Sequence, residues 1–101
     1  MAKVSLIERN KKRKMLSKKF SSLRERLKKE IYKKDLALDV RLKLIFKLAE
    51  LPRNSSRVRV RNLCAVTGRP RGFYRKLGLS RNIFREYAAQ GILPGIVKAS
   101  W

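Results

Sequence analysis

The chain has 101 residues, of which 28 are Lys or Arg and 7 are Asp or Glu, with no His; its formal charge at pH 7 is +21. That length suits one small core, or a module with an extension, and not two full domains. So much positive charge opposes its own compaction unless a polyanion neutralises it, which makes nucleic acid the first partner to consider and an anionic membrane surface the second. One Cys and no His exclude an intramolecular disulfide and a zinc site built of Cys and His. Cys64 reads as a small buried apolar residue rather than a reactive thiol. No stretch has the apolar length of a signal peptide or a membrane span, so the expectation is a soluble protein of a reducing compartment.

The cations change in kind along the chain. Residues 1–50 hold 12 Lys and 5 Arg, residues 51–101 hold 9 Arg and 2 Lys, and the stretch 53–85 contains no acid. Lysine is a hydrated point charge, whereas arginine offers a planar fork for bidentate contacts and can stack. The first half therefore reads as an electrostatic arm, densest at Lys11, Lys12, Arg13, Lys14, Lys18 and Lys19, and the second as the part that reads a surface.

In chain order, Ser5 and Glu8 have the spacing of a capping box. Leu16, Phe20, Leu23, Leu27 and Ile31 then recur at intervals of 4, 3, 4 and 4, predicting a long basic helix with a narrow apolar stripe. The pattern changes at Tyr32, Lys33, Lys34 and Asp35, and a second helix is expected from about Val40 with Asp39 as its N-cap. Val40, Leu44, Leu48 and Leu51 give it an apolar face, which Leu42, Ile45, Phe46 and Ala49 widen, and Pro52 stops it. The two helices can fold back as a hairpin. After a loop at residues 52–56, Arg57-Val58-Arg59-Val60-Arg61 alternates with period two. That pattern fits a short half-buried strand, or an extended strip with three arginines along a phosphate backbone, and the two readings are compatible. Thr67-Gly68-Arg69-Pro70-Arg71-Gly72 is a turn whose glycines permit close backbone approach. A last helix is expected over residues 81–90, with Ser80 at its N-cap and Gly91 at its C-terminal cap, followed by a tail after Pro94 and Gly95.

The fold class predicted is mainly α: extended basic N-terminal helices and a small, irregular, turn-rich C-terminal module with one short helix. The expected divisions are a basic helical extension over residues 1–51, an extended Arg-rich linker over 52–62 and a compact RNA-binding module over 63–101. Catalysis is poorly supplied, since no side chain titrates near neutrality without perturbation and no nucleotide-binding glycine loop is present. The acids Glu25, Glu30, Asp39, Glu50 and Glu86 are expected as salt-bridge partners of neighbouring cations. The chain is therefore expected not to be an enzyme.

Binding chemistry is plentiful. Arg69, Arg71, Arg75 and Lys76 interleave with Phe73 and Tyr74, a combination that irregular RNA rewards, because splayed bases stack while phosphates pair. Phe73 and Tyr74 equally suit a small core under the turn. Trp101 is expected to dock onto RNA or a neighbouring protein. The RNA-contacting set is completed by Arg53, Asn54, Ser55, Arg57, Arg59, Arg61, Asn62, Arg81, Arg85 and Lys98. Two alternatives belong to other classes: a histone-like nucleic-acid compactor, and a basic amphipathic membrane binder using the stripe along residues 16–31.

The second half resembles a known family. Leu51-Pro52-Arg53-Asn54-Ser55-Ser56, Arg59-Val60-Arg61-Asn62, the turn at residues 67–72, Gly78-Leu79-Ser80-Arg81, and the ending Leu93-Pro94-Gly95 with Lys98-Ala99-Ser100-Trp101 look like ribosomal protein fourteen of the small subunit, in its long bacterial or organellar form. The resemblance implies a structural rRNA-binding protein of the subunit head, in the 3′ major domain near the decoding aminoacyl site. It implies neighbouring head proteins three, ten and nineteen as partners, with no membrane and no homo-oligomer. It also implies the cytoplasmic ribosome of a bacterium, or that of an organelle matrix or stroma. Short members of the family carry a zinc ribbon whose four ligand positions look equivalent to Cys64, Thr67, Ser80 and Ile83 here, so the ribbon's path is expected without metal or other cofactor.

Overall fold

The computed structural model describes residues 2–100. Helix α1 (Val4–Ile31) runs for 28 residues, ~42 Å at the usual helical rise. Its apolar residues hold the predicted register: Leu16, Phe20, Leu23 and Ile31 are half-buried and Leu27 is buried. Lys28 and Lys29 occupy the last turn, where the helix dipole favours cations. Helix α2 (Leu38–Glu50) ends where expected, with Leu51 already extended (φ −64°, ψ 149°) as the ring of Pro52 demands.

The helix starts differ from expectation. The amides of Leu6 and Ile7 donate to the carbonyl of Lys3, so α1 begins ahead of Ser5, and Ser5 lies inside the first turn instead of capping it. Glu8 turns to Lys11 at 2.8 Å. Likewise α2 opens after Ala37, which makes no side-chain cap, and Asp39 sits in the first turn, where its charge still suits the dipole. The expected salt bridges are also corrected: among the described residues, Glu25, Glu30, Asp39, Glu50 and Glu86 hold no Lys or Arg within pairing distance. Of their cationic neighbours in sequence, Arg24 and Arg41 donate to other groups, and Arg26, Lys29 and Arg85 are exposed, where such a pair gains little.

The chain divides into two units. The helical unit, Glu8–Val60, contains most of α1, all of α2 and the loop after it. Leu23 and Leu27 of α1, Leu44 of α2 and Leu51 just past its end line one cleft, as a hairpin requires. The Arg41 guanidinium donates to the Lys33 carbonyl at 2.8 Å and fixes the connecting loop. The expected strand over residues 57–61 does not form. Arg53–Ser55 and Arg57–Arg59 are single 3-10 turns, closed by i→i+3 bonds such as Ser55 N–H to Pro52 O (3.0 Å) and Arg59 N–H to Ser56 O (3.2 Å). The backbone satisfies its amides locally because no partner strand is there to accept them. Val58, meant for the buried side of that strand, is 90% exposed.

The second unit joins the residues up to Ile7 with those from Arg61 onward. Strands β1 (Phe73–Tyr74) and β2 (Leu79–Ser80) form a two-residue antiparallel pair, and β2 leads directly into helix α3 (Arg81–Ala89). Four backbone bonds stitch the irregular path: Cys64 N–H to Arg69 O (3.0 Å), Gly68 N–H to Cys64 O (2.9 Å), Ala65 N–H to Gly78 O (3.0 Å) and Arg81 N–H to Gly72 O (2.6 Å). Cys64, Leu79 and Ile83 are the buried core, with Tyr87 packed against it. Helix α3 stops as predicted: Gly91 takes φ +73°, its amide bonds Ala88 O (3.3 Å) and the Ile92 amide bonds Tyr87 O (3.0 Å), which is a Schellman ending. At the other end of this unit the Ala2 amide donates to Thr67 O (3.3 Å). Gly68, at φ +72°, is pressed from the same side, since a Cβ there would come within 2.9 Å of Ile7 Cδ1.

Candidate nucleic-acid interface

In the helical unit the cations of α1 divide by burial. Lys12, Lys14 and Lys18 are exposed, Lys11 is exposed but paired with Glu8, Lys19 lies over the Phe20 ring at 5.6 Å, and Arg13 is half-buried. One shallow groove gathers residues far apart in sequence: Lys14, Ser17, Lys18 and Ser21 from α1, and Arg57 and Val60 from the second 3-10 turn. Three cations and two hydroxyls converge there with no carboxylate among the lining residues. Like charges brought together in this way are relieved by an anion able to accept several hydrogen bonds, and phosphate is the natural one.

The loop carrying Arg53 and Arg57 is held by an interior bracket. Arg24 Nε donates to Ser55 Oγ at 2.9 Å, Arg24 Nη2 donates to Pro52 O at 3.3 Å, and the Ser55 hydroxyl itself donates to Pro52 O. Ser55 is 1% exposed. It therefore faces the protein, whereas Arg53 and Arg57 beside it are exposed, Arg59 is half-buried, and Asn54 is half-buried with its Oδ1 enclosed and without a hydrogen-bond partner. Arg24 was not among the expected functional residues. Its only sequence signal is a cation set between Leu23 and Leu27 on the half-buried side of α1, and its partner lies 31 residues away.

In the second unit Arg61, Asn62, Arg71, Arg75, Lys76, Arg81, Arg85 and Lys98 are exposed and Arg69 is half-buried. Gly72 gives Arg81 its path: a Cβ at Gly72 would meet Arg81 Cγ at 3.1 Å. Phe73 is half-buried, and Tyr74 stacks on Phe84 with ring centroids 5.0 Å apart and a tilt of 55° while keeping about half its surface open. Tyr74 thus packs on Phe84 beside the core and still keeps about half its surface open. Trp101 lies outside the described residues.

Cys64 sits at the centre of this unit. Burial raises its pKa, but the Thr67 hydroxyl and the backbone N–H groups of Thr67, Ser80 and Val66 outweigh that and lower it to about 6. The Thr67 hydroxyl is buried beside Cys64 and has no hydrogen-bond partner of its own. Ser80 occupies the N-cap position of α3, yet its fully buried hydroxyl makes no cap bond and has no partner. The positions Cys64, Thr67, Ser80 and Ile83 therefore do gather around one point. One thiolate, two hydroxyls and an aliphatic chain do not fit tetrahedral zinc, which takes thiolate, imidazole or carboxylate ligands.

Comparison with known proteins agrees with the motifs of the second half and extends to the first. The profile of a family described as ribosomal protein S14p/S29e matches residues 47–100. The small ribosomal subunit protein uS14 of Orientia tsutsugamushi (strain Boryong) is 55% identical over 101 residues, covering all of both chains. Those of Bartonella bacilliformis and Rickettsia typhi are each 54% identical over the same full lengths. An arginine-rich module stitched by glycine turns, on a chain that matches these relatives from end to end, leads to one conclusion: the chain belongs to the ribosomal protein S14p/S29e family.

Proposed function

We propose that the chain is a structural constituent of the small ribosomal subunit that binds and orders the rRNA of the subunit head, in the 3′ major domain near the decoding aminoacyl site. The ribosomal role follows from the family and its full-length relatives. The observation that carries RNA binding is the groove where Lys14, Lys18 and Arg57 converge with two hydroxyls and no acid. The exposed lysines of α1 neutralise phosphates so that rRNA segments can approach one another. Arg53, Arg57, Arg61, Arg71, Arg75, Arg81 and Arg85 fix register by forked phosphate contacts, and Tyr74 offers an open ring to a base. Neighbouring head proteins, of which the family suggests three, ten and nineteen, complete the surroundings. Bacterial relatives favour a cytoplasmic ribosome.

The test is the salt dependence of binding to naked small-subunit rRNA. Affinity should fall steeply, and the triple variant Lys14→Gln, Lys18→Gln, Arg57→Gln should reduce the magnitude of the log–log slope by about 2 to 3, at roughly 0.7 to 0.9 per phosphate released. Affinity unchanged between about 50 and about 200 mM salt would contradict the electrostatic account. Equal affinity for duplex DNA and folded rRNA would favour a general compactor instead.

A further inference from the structure

Helix α2 carries two apolar seams, and only one lies partly covered. Leu44, Leu48 and Leu51 are half-buried on that side, where Leu44 and Leu51 line the cleft shared with α1, while Val40 at the head of the same seam is 47% exposed. Leu42, Ile45, Phe46 and Ala49, expected to widen that face, instead form a separate stripe that Leu38 joins; all five are exposed, Leu38 at 70% and Phe46 at 64%. Their open surface is on the order of 400 Å², comparable to the largest apolar patch on a typical monomer, which is often functional.

Charge narrows the occupant. The chain as a whole is +21, yet residues 35–51 hold Asp35, Asp39 and Glu50 against Arg41, Lys43 and Lys47, an even balance. Of the cations, Arg41 is already committed to the Lys33 carbonyl. Glu50 and Lys47 line the cleft toward α1, while the exposed Asp39 follows Leu38 in the first turn and would face a phosphate laid on the stripe. Aliphatic chains, for their part, offer a base neither stacking nor hydrogen bonds. A second copy of the chain would set +21 against +21. A protein with mixed charges at its rim meets both conditions. Leu38, Leu42, Ile45 and Ala49 follow intervals of 4, 3 and 4, the spacing of a helix–helix seam, and the small Ala49 allows close approach beside the projecting Phe46.

We infer that the outward stripe of α2 docks an amphipathic helix of a neighbouring small-subunit protein, with an apolar centre and a rim of both charge signs. This rests on the ribosomal reading above. It assigns the two helices opposite tasks, α1 toward RNA and α2 toward protein.

Two measurements test it on the full chain. Small subunits reconstituted with Phe46 replaced by p-benzoyl-phenylalanine should, on irradiation, give an adduct with one small-subunit protein, mapping to a helix. An adduct with rRNA, an adduct with a second copy, or no adduct overturns the inference. The variant Leu42→Gln, Ile45→Gln should keep its affinity for naked small-subunit rRNA within about twofold, yet lose at least about tenfold in competitive incorporation into subunits. Incorporation equal to the parent, or a parallel loss of rRNA affinity with unchanged circular-dichroism helicity, overturns it as well. If the variant loses helicity, the adduct decides alone. Failure of the parent chain to bind rRNA would instead count against the ribosomal reading, so the two failures are distinguishable.

Discussion

The helical unit and the C-terminal unit face one problem, many cations on little core, and answer it differently. In the helical unit regular backbone is cheap, because α1 closes its own hydrogen bonds over 28 residues, and tertiary order rests on side chains: a stripe around Leu27 and the bracket from Arg24 to Ser55 and Pro52. In the other unit the longest element is the nine-residue α3, and order rests on backbone stitches, left-handed glycines and a core of Cys64, Leu79 and Ile83. The difference teaches where each unit is vulnerable. A single polar side chain can loosen the first, whereas the second responds to what happens at the sulfur and the turns around it.

At any one pH the clearest effect is expected at Arg24. Arg24→Ala removes the charged donor to Ser55 Oγ and Pro52 O and leaves the Ser55 hydroxyl only its own bond to Pro52 O, a loss of about 1.5–3 kcal/mol for hydrogen bonding to a charged group. Hydrogen-exchange protection of the Ser55 and Ser56 amides should drop while that of Cys64 and Gly68 holds. Arg24→Lys should recover only part, since one ammonium nitrogen does not reproduce the separate, planar Nε and Nη2 donors that reach Ser55 Oγ and Pro52 O. Equal loss of protection at Cys64 would erase the distinction between the units.

A second effect, which only pH reveals, concerns Cys64. Its pKa is about 6 in the folded chain against an ordinary 9.0. The folded thiol ionises before the unfolded one, so the group adds stability as pH rises from about 6 toward 9, and that stability is lost as pH falls through about 6. The slope should be on the order of 1 kcal/mol per pH unit within that window. Denaturant midpoints measured across it should show the slope in the parent and not in Cys64→Ser. A parent with no slope would mean that the donors around the sulfur do not stabilise a thiolate.

Features with local causes were legible in the sequence. The α1 stripe follows from residue spacing, Pro52 ends α2 by its own ring, and Gly91 ends α3 by a conformation few other residues adopt. Errors arose where distant residues decide. The capping box at Ser5 fails because α1 starts earlier, just after Ala2 donates to Thr67, some 65 residues on. The alternation at residues 57–61 suggested a strand, but a strand needs a partner, and without one the serines and arginines close 3-10 turns. The candidate cations were visible as a set, and most are exposed as expected. Their grouping was not: nothing in the sequence places Arg57 beside Lys14 and Lys18, or Arg24 against Ser55. The split of α2 into a partly covered and an open seam was equally hidden, since hydropathy alone merges the two.

The central claim is that this chain is built into the small subunit, with phosphate contacts and protein contacts both closed, and is not held to its surface by charge. Retention after a high-salt wash tests that most directly. Salt near 1 M shortens the screening length to about 3 Å and releases loosely bound cations from RNA. The account predicts that the chain still sediments with washed small subunits at one copy per subunit. Release into the supernatant under the wash would contradict it.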